Sequence, residues 1–495
     1  MTDRRLRKIV IVGGGTAGWM AAAPLAQRLG KDCEIVLIES PDIATVGVGE
    51  ATLPTIRYFN AALGLDHAEF LRKTQASFKL GIEFKDWGYI GNRFFHGFGD
   101  FGPKIAGRSP HMHWLHLARV DKNIPSYENW SISTVMARNH RFAPANPDDP
   151  YSYGFHFDAA LYAIHLREYA IARGVTRIEA TINDVELRSE DGYIAAVKLK
   201  DGRRIDGDFF IDCSGFRGLL IEGALKAGYD DWSDQLPCNS ALAMLCAKAE
   251  KLEPFTTATA KPAGWQWRIP LQHRTGNGHV YSNAFTTDDE AARVLIDGLD
   301  GAPLDDPRQL RFVTGRRRKS WIKNCVALGL AAGFIEPLES TSINLIENAV
   351  GKLIECFPDR DFLPESTAEF NRYMAYRYES VRDFIIMHYK LTQRTDTEFW
   401  RYCANMPIPD SVRHQIELFR ETGRVVIYDQ DGFGDPSFIS MLLGLGVVPK
   451  VDDPFVAAMD RDALQAHMAQ VRAGIIQKVS AMPYVGDYLA RAVAR

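Results

Sequence analysis

The stretch from Lys8 to Gly18 constrains this chain more than any other. A β-branched run, Lys8-Ile9-Val10-Ile11-Val12, is followed by Gly13-Gly14-Gly15-Thr16-Ala17-Gly18 and then by the helix-forming Trp19-Met20-Ala21-Ala22-Ala23. A strand that passes through a glycine turn into a helix is the first half of a βαβ unit, so an α/β fold with a parallel sheet is expected. Gly13, Gly15 and Gly18 occupy the three positions of the dinucleotide fingerprint, with Thr16 and Ala17 opening the helix. At these positions a missing Cβ permits the tight turn, the approach of a pyrophosphate and close helix packing. A second strand pattern, Glu34 to Ile38, ends in Glu39, where an acid reaches ribose hydroxyls.

Two later segments point to the same crevice. Phe209-Phe210-Ile211 reads as a buried strand ending in Asp212 and a polar glycine turn, and Cys325 to Gly333 reads as a strand followed by small residues around Gly329. Three such turns far apart in sequence suit one long cofactor, FAD, better than NAD. No second complete Gly-x-Gly-x-x-Gly unit follows, so no resident nicotinamide nucleotide is expected. The division read from the sequence is a discontinuous FAD module (1–90, 151–222 and 318–352), a substrate-side region (91–150 and 223–317) and a mainly helical part (353–495), packed as a single body. Residues 91–150, rich in aromatics, Gly, Pro and His, are expected to be irregular loops lining a substrate.

Composition excludes several function classes. With 495 residues and 46% apolar content the chain can bury a large core, and 58 basic against 62 acidic residues leave a formal charge of only −4. No dense basic block is present, so nucleic acid is not an expected partner. The seven cysteines are scattered without zinc spacing, which suits reduced thiols, a cytoplasmic protein and no metal. The longest apolar run, near Val326 to Ile335, is too short to span a membrane.

Three segments could carry chemistry. In Trp265-Gln266-Trp267-Arg268-Ile269-Pro270 a period of two places Trp265, Trp267 and Ile269 on one face of an extended segment that Pro270 ends, forming a flat aromatic wall. In Ser77 to Phe84 the same period puts Phe78, Leu80, Ile82 and Phe84 on one face and Lys79, Gly81 and Glu83 on the other. Lys79 is then either a solvent-facing lysine or, if that face is internal, a desolvated nucleophile or acid. Gly333 to Ser342 precedes a helix pattern starting near Ser340 or Thr341. The unpaired amides there could bind an anion such as a halide, with Glu339 beside them as a general base, or simply form a capped helix start.

These motifs together resemble the flavin-dependent tryptophan halogenases over nearly the whole length. The signature Trp-x-Trp-x-Ile-Pro is Trp265, Trp267, Ile269 and Pro270. The family's lysine in a Phe-Lys-Leu-Gly context matches Lys79. Its Glu-Pro-Leu-Glu-Ser-Thr block matches Glu336 to Thr341, and its Gly-Val-Gly-Glu-Ala-Thr flavin strap matches Gly47 to Thr52, including Val48, Gly49, Glu50 and Ala51. The resemblance implies a fold like that of the GR2-type flavin monooxygenases. It also implies FAD as FADH2, supplied by a separate NAD(P)H-dependent flavin reductase, together with O2 and chloride or bromide. Hypohalous acid would pass along a tunnel to Lys79, which holds it or forms a haloamine. Glu339 would serve the cationic ring intermediate, Thr341 and Ser342 would bind halide, and His96, Phe98 and Phe433 would stack on the substrate. The wall of tryptophans would separate flavin from substrate. Ser342 stands where the family has glycine, and the residues that hold the backbone of tryptophan have no counterpart. An indole-like aromatic other than, or broader than, free tryptophan is therefore expected. The alternatives are a flavin-dependent aromatic hydroxylase and a flavin-binding module without halogenating activity.

Overall fold

The computed structural model describes residues 3–42, 49–428 and 432–494, so Val48 of the strap lies outside the described residues. The chain forms two compact units, one from Met1–Gln75, Phe157–Ser233 and Phe312–Glu379, the other from Ala76–His156, Asp234–Arg311 and Ser380–Arg495.

In the first unit β1 (Lys8–Val12) leads through the glycine turn into α1 (Thr16–Leu29), which returns to β2 (Glu34–Glu39). The sheet runs in the order Trp321–Ile322, Cys325–Ala327, Phe209–Asp212, β1, β2, Thr176–Glu179. β1 is central and parallel to both neighbours, with Val10 opposite Phe210 and Val36. Ile9, Val10 and Ile11 are fully buried, which explains a continuous apolar run instead of an alternating one. Only the short edge strand Trp321–Ile322 is antiparallel to its neighbour. α2 (Ser342–Glu355) also belongs to this unit.

The second unit holds β3 (Ser77–Lys79), β4 (Gly81–Lys85), β5 (Arg93–Gly97), β6 (Gly154–Asp158, to His156 in this unit), β7 (Thr256–Lys261), β8 (Gly264–Pro270) and β9 (Arg274–Tyr281). A seven-stranded sheet runs Arg308–Arg311, Ser240–Ala247, β9, β8, β7, β4, β5, in which β7 and β4 are parallel and the other pairs antiparallel. Ser77 to Phe84 is not one strand, as its alternation suggests. It breaks at Leu80: β3 pairs with β6, whereas β4 pairs with β5 and β7. The Leu80 amide donates to Pro254 O (2.7 Å) and its carbonyl accepts from Phe98 N (2.9 Å), which turns the corner without stranding a backbone group.

The two units divide the chain at positions other than those read from the sequence. Residues 91–150 are largely irregular, as expected, but they also contain β5 and the helices Pro110–Val120 and Ile132–Arg138. Pro110 sits at the first position of its helix, and the Ser131 side chain accepts from Thr134 N, so the Pro and Ser residues mark starts of helices. The mainly helical part is divided between the two units. α3 (Pro364–Lys390) contributes to the first unit up to Glu379 and to the second from Ser380. Residues 76–90 fall in the second unit because β4 is committed to its sheet. Among the described residues no helix is long and apolar enough to cross a membrane.

Candidate functional site

The glycine turn of the first unit has the shape a dinucleotide needs. Gly13 has φ +112°, and a Cβ there would lie 2.2 Å from Cys213 O; at Gly18 a Cβ would lie 1.9 Å from Gly13 O. Both glycines are therefore required by the protein's own packing. At Gly15 a Cβ would meet nothing within 4 Å, so the missing atom there leaves open space. Gly15 is the N-cap of α1, with no side-chain cap and no acidic residue in the first turn, so the amides at Thr16 and Ala17 keep their positive field toward that space. Gly329, at φ +61°, packs against this helix start, where its Cβ would come within 2.7 Å of Ala17 Cβ. The residues present thus fit a bound pyrophosphate.

The two acids of this crevice differ. Glu39, at the end of β2, is paired with Arg177 and approaches Arg167 at 4.0 Å, so its carboxylate is already charge-compensated. Asp212 is fully buried and accepts from Ser214 N (3.0 Å), Ser214 Oγ (2.6 Å), Leu220 N (2.7 Å) and Ile221 N (2.8 Å). Its carboxylate builds the turn after its strand. Gly49, Glu50 and Ala51 form a short strand, and burial raises the Glu50 carboxyl to about 7. Glu347 on α2 is likewise raised to about 7, burial outweighing hydrogen bonds to Thr55 and Asn344.

The block that precedes α2 is shaped by an unusual turn. Pro337–Glu339 makes a tight helical turn, Ser340 takes the left-handed conformation at φ +59°, and Thr341 is the N-cap of α2. A left-handed non-glycine residue carries a conformational cost and is worth a functional explanation. Glu339 is fully buried and Thr341 is 1% exposed. Thr341 provides no side-chain cap, its Oγ1 has no hydrogen-bond partner among the described residues, and the first turn of α2 holds no acid. The helix begins at Ser342, one residue after Thr341, the later of the two starts read from the sequence, and leaves uncompensated amide dipoles there.

In the second unit Lys79 has 0% exposure, which excludes the solvent-facing reading. Both faces of β3 are internal: Phe78 stacks on Phe142 at 3.8 Å, whereas Lys79 places its Nζ 4.9 Å from the centre of the Phe98 ring. The expected aromatic residues are brought together with it. His96 on β5 lies 6.4 Å from Phe98 and 6.4 Å from Phe433 between ring centres. The sequence reading missed Phe384 on α3, which stacks on Phe433 at 4.0 Å and 24° and lies 6.0 Å from His96. Phe438 on α4 (Asp435–Gly444) meets Phe384 edge-on at 4.9 Å. The signal available was the spacing Phe384, His388 on one face of a helix, which an ordinary core helix also shows.

Trp265 and Trp267 share a face of β8, but they do not make a flat wall. Their rings are tilted by 56° with centres 6.1 Å apart, because each is accommodated separately by its neighbours across the sheet. Trp267 lies opposite Ala258 and Gly278, and a Cβ on Gly278 would come within 2.0 Å of its ring. Trp265 faces Ala260 and Val280 and lies 6.3 Å from Trp87, which in turn contacts Tyr389 and Trp400. Ile269 and Pro270 are buried at the end of the strand.

Comparison with known proteins places this arrangement. A family profile described as tryptophan halogenase matches residues 8–461. The tryptophan 7-halogenase RebH of Lentzea aerocolonigenes is 35% identical, with 92% of each chain covered. The flavin-dependent halogenase BrvH from Brevundimonas sp. BAL3 superimposes with a TM-score of 0.95 at 45% identity, covering 99% of this chain and 100% of its own. Xcc4156, a flavin-dependent halogenase from Xanthomonas campestris, gives a TM-score of 0.96 at 43% identity, with 99% of each chain covered.

Proposed function

This chain belongs to the tryptophan halogenase family and is an FADH2-dependent halogenase, and from that premise we propose that it halogenates an electron-rich, indole-like aromatic broader than free tryptophan. FAD, when bound, supplies with O2 the oxidation of chloride or bromide to hypohalous acid. The turn at Gly13, Gly15 and Gly18 holds the pyrophosphate, with Glu39 toward the ribose and Gly49 to Ala51 as part of the strap. Halide binds the uncapped amides at Thr341 and Ser342. Lys79 holds the hypohalous acid by a hydrogen bond or accepts the halogen on Nζ, and Glu339 takes up the proton that the ring loses. His96, Phe98 and Phe433 stack on the aromatic substrate. A separate NAD(P)H-dependent reductase delivers FADH2, which puts the reaction in the cytoplasm.

The observation that carries this reading is the fully buried Lys79 with its Nζ over the Phe98 ring. A lysine is almost never fully buried, so its place on an internal face beside the aromatic rings marks it as a functional candidate. The reading is tested by mass spectrometry of reactions with FAD, a flavin reductase and either halide on indole, tryptophan and phenols. Halide-dependent addition of halogen to indole, exceeding that to tryptophan, is the expected result. Oxygenated product without halide would support a hydroxylase instead.

A further inference from the structure

The proline end of the Trp-x-Trp-x-Ile-Pro strand is a hydrogen-bonding dock for the lysine strand. Ser77 Oγ donates to Pro270 O at 2.6 Å, and Gln272 Nε2 donates to Ala76 O at 2.6 Å. The two contacts seize the start of β3, two and three residues before Lys79. Across the β3–β6 ladder Ser77 is opposite His156 and Lys79 opposite Gly154, so Ser77, Lys79 and His156 share one face. Ser77 and His156 are both fully buried.

The hydrogen bonds define the proton positions of this cluster. The Ser77 hydroxyl proton is committed to the Pro270 carbonyl, so His156 Nδ1 donates to Ser77 Oγ, at 3.4 Å. Nε2 is then a lone pair and accepts from Thr256 Oγ1 at 2.9 Å. Burial holds this imidazole well below its usual range, the positive charges of Lys79 and Arg268 add to that, and the Pro270 carbonyl acts weakly the other way. The imidazole is neutral and oriented at both nitrogens. Thr256 lies in β7, the strand beside β8, so the bracket closes on the sheet that carries the signature.

We propose that Ser77 and His156 are positioning residues for Lys79, bracketing its strand against the Pro270 carbonyl and Thr256 so that the lysine Nζ stays at the Phe98 ring. The signature thereby has a second use, as the template against which the lysine is set. The inference rests on the assignment of halogen transfer to Lys79. An oxidant that can diffuse makes position visible: a displaced lysine lets hypohalous acid escape instead of transferring its halogen.

The test uses the full-length enzyme with FAD, a flavin reductase, bromide and indole. Two quantities are read: bromoindole formed per FADH2 oxidised, and oxidant captured by a β-diketone scavenger. For Ser77→Ala, bromoindole per FADH2 is expected to fall about ten-fold, with scavenged oxidant rising to match and the KM for indole unchanged. Ser77→Thr, which keeps the hydroxyl, is expected to restore coupling. Thr256→Val, which keeps shape and removes only the donor to Nε2, is expected to lower coupling about three-fold and keeps the test open if Ser77→Ala does not fold. Lys79→Ala is the control: product surviving that change sinks the lysine assignment itself. If Lys79→Ala is inactive while Ser77→Ala and Thr256→Val couple like the parent, or lose product only through a raised KM, the positioning proposal is overturned.

Discussion

The two units offer chemistry in different materials. In the first, the anion sites we propose are made of backbone: a Gly15 with no atom where a Cβ would be, and helix starts at Gly15 and Thr341 without side-chain caps. In the second they are made of side chains, namely the buried Lys79 and the rings of His96, Phe98, Phe384 and Phe433. Backbone sites tolerate no added atom, whereas side-chain sites tolerate no lost one. Substitutions that enlarge and substitutions that truncate should therefore separate the units.

The largest effect is expected for truncation at Lys79. Lys79→Ala should reduce product by at least ~100-fold, as for loss of an acid–base group, while flavin reoxidation followed by absorbance continues. Enlargement at Gly15 comes next. Gly15→Val should leave the melting temperature of the FAD-free protein unchanged and weaken FAD binding by roughly ten-fold or more, measured by fluorescence titration. Gly18→Val is its counterpart and should destabilise the FAD-free protein as well, because its Cβ would meet Gly13 O at 1.9 Å. If both variants behave alike, the distinction between open and packed glycines fails.

Smaller effects follow from the stack and from the buried acids. Phe433→Ala should raise the KM for indole about two- to ten-fold, the range of one aromatic pair, with kcat changing less. Burial raises Glu50 and Glu347 to about 7, so the folded state keeps protons that the unfolded state releases near 4.5. The contribution is therefore fully favourable below about 4.5 and declines as pH rises toward 7, by a few kcal/mol per group at most. Melting of the FAD-free protein across that window should show a slope that Glu347→Gln reduces. An unchanged slope would mean that Glu347 is solvated.

Much of the first unit was legible because its constraints are conformational. β1, the glycine turn, β2 and the strand at Phe209 stand where residue types with special backbone or branching requirements put them. The second unit was legible only in part. The period of two in Ser77 to Phe84 correctly separates Lys79 from Phe78, but periodicity does not say whether a face meets water, and here both faces are internal. Nor does it register that one run of residues serves two sheets, since Leu80 looks like any other apolar strand residue. Phe384 was hidden for the same reason: an aromatic residue in a helical pattern reads as core until the partner ring, 49 positions away in no local pattern, is placed against it. The tilt between Trp265 and Trp267 was written in the sequence, though in the adjacent strands, where Ala258 and Gly278 make room.

The corner at Leu80 makes the segment intolerant of any change in length. With β3 registered on β6 and β4 registered on β5 and β7, an added or deleted residue between Phe78 and Ile82 cannot be absorbed by sliding, because one ladder or the other would lose its pairing. A single-residue slip of β3 would also exchange its two faces, sending the lysine into the cluster of Phe142 and a phenylalanine toward Phe98. The spacing from Phe78 to Ile82 thus acts as a ruler between the two ladders.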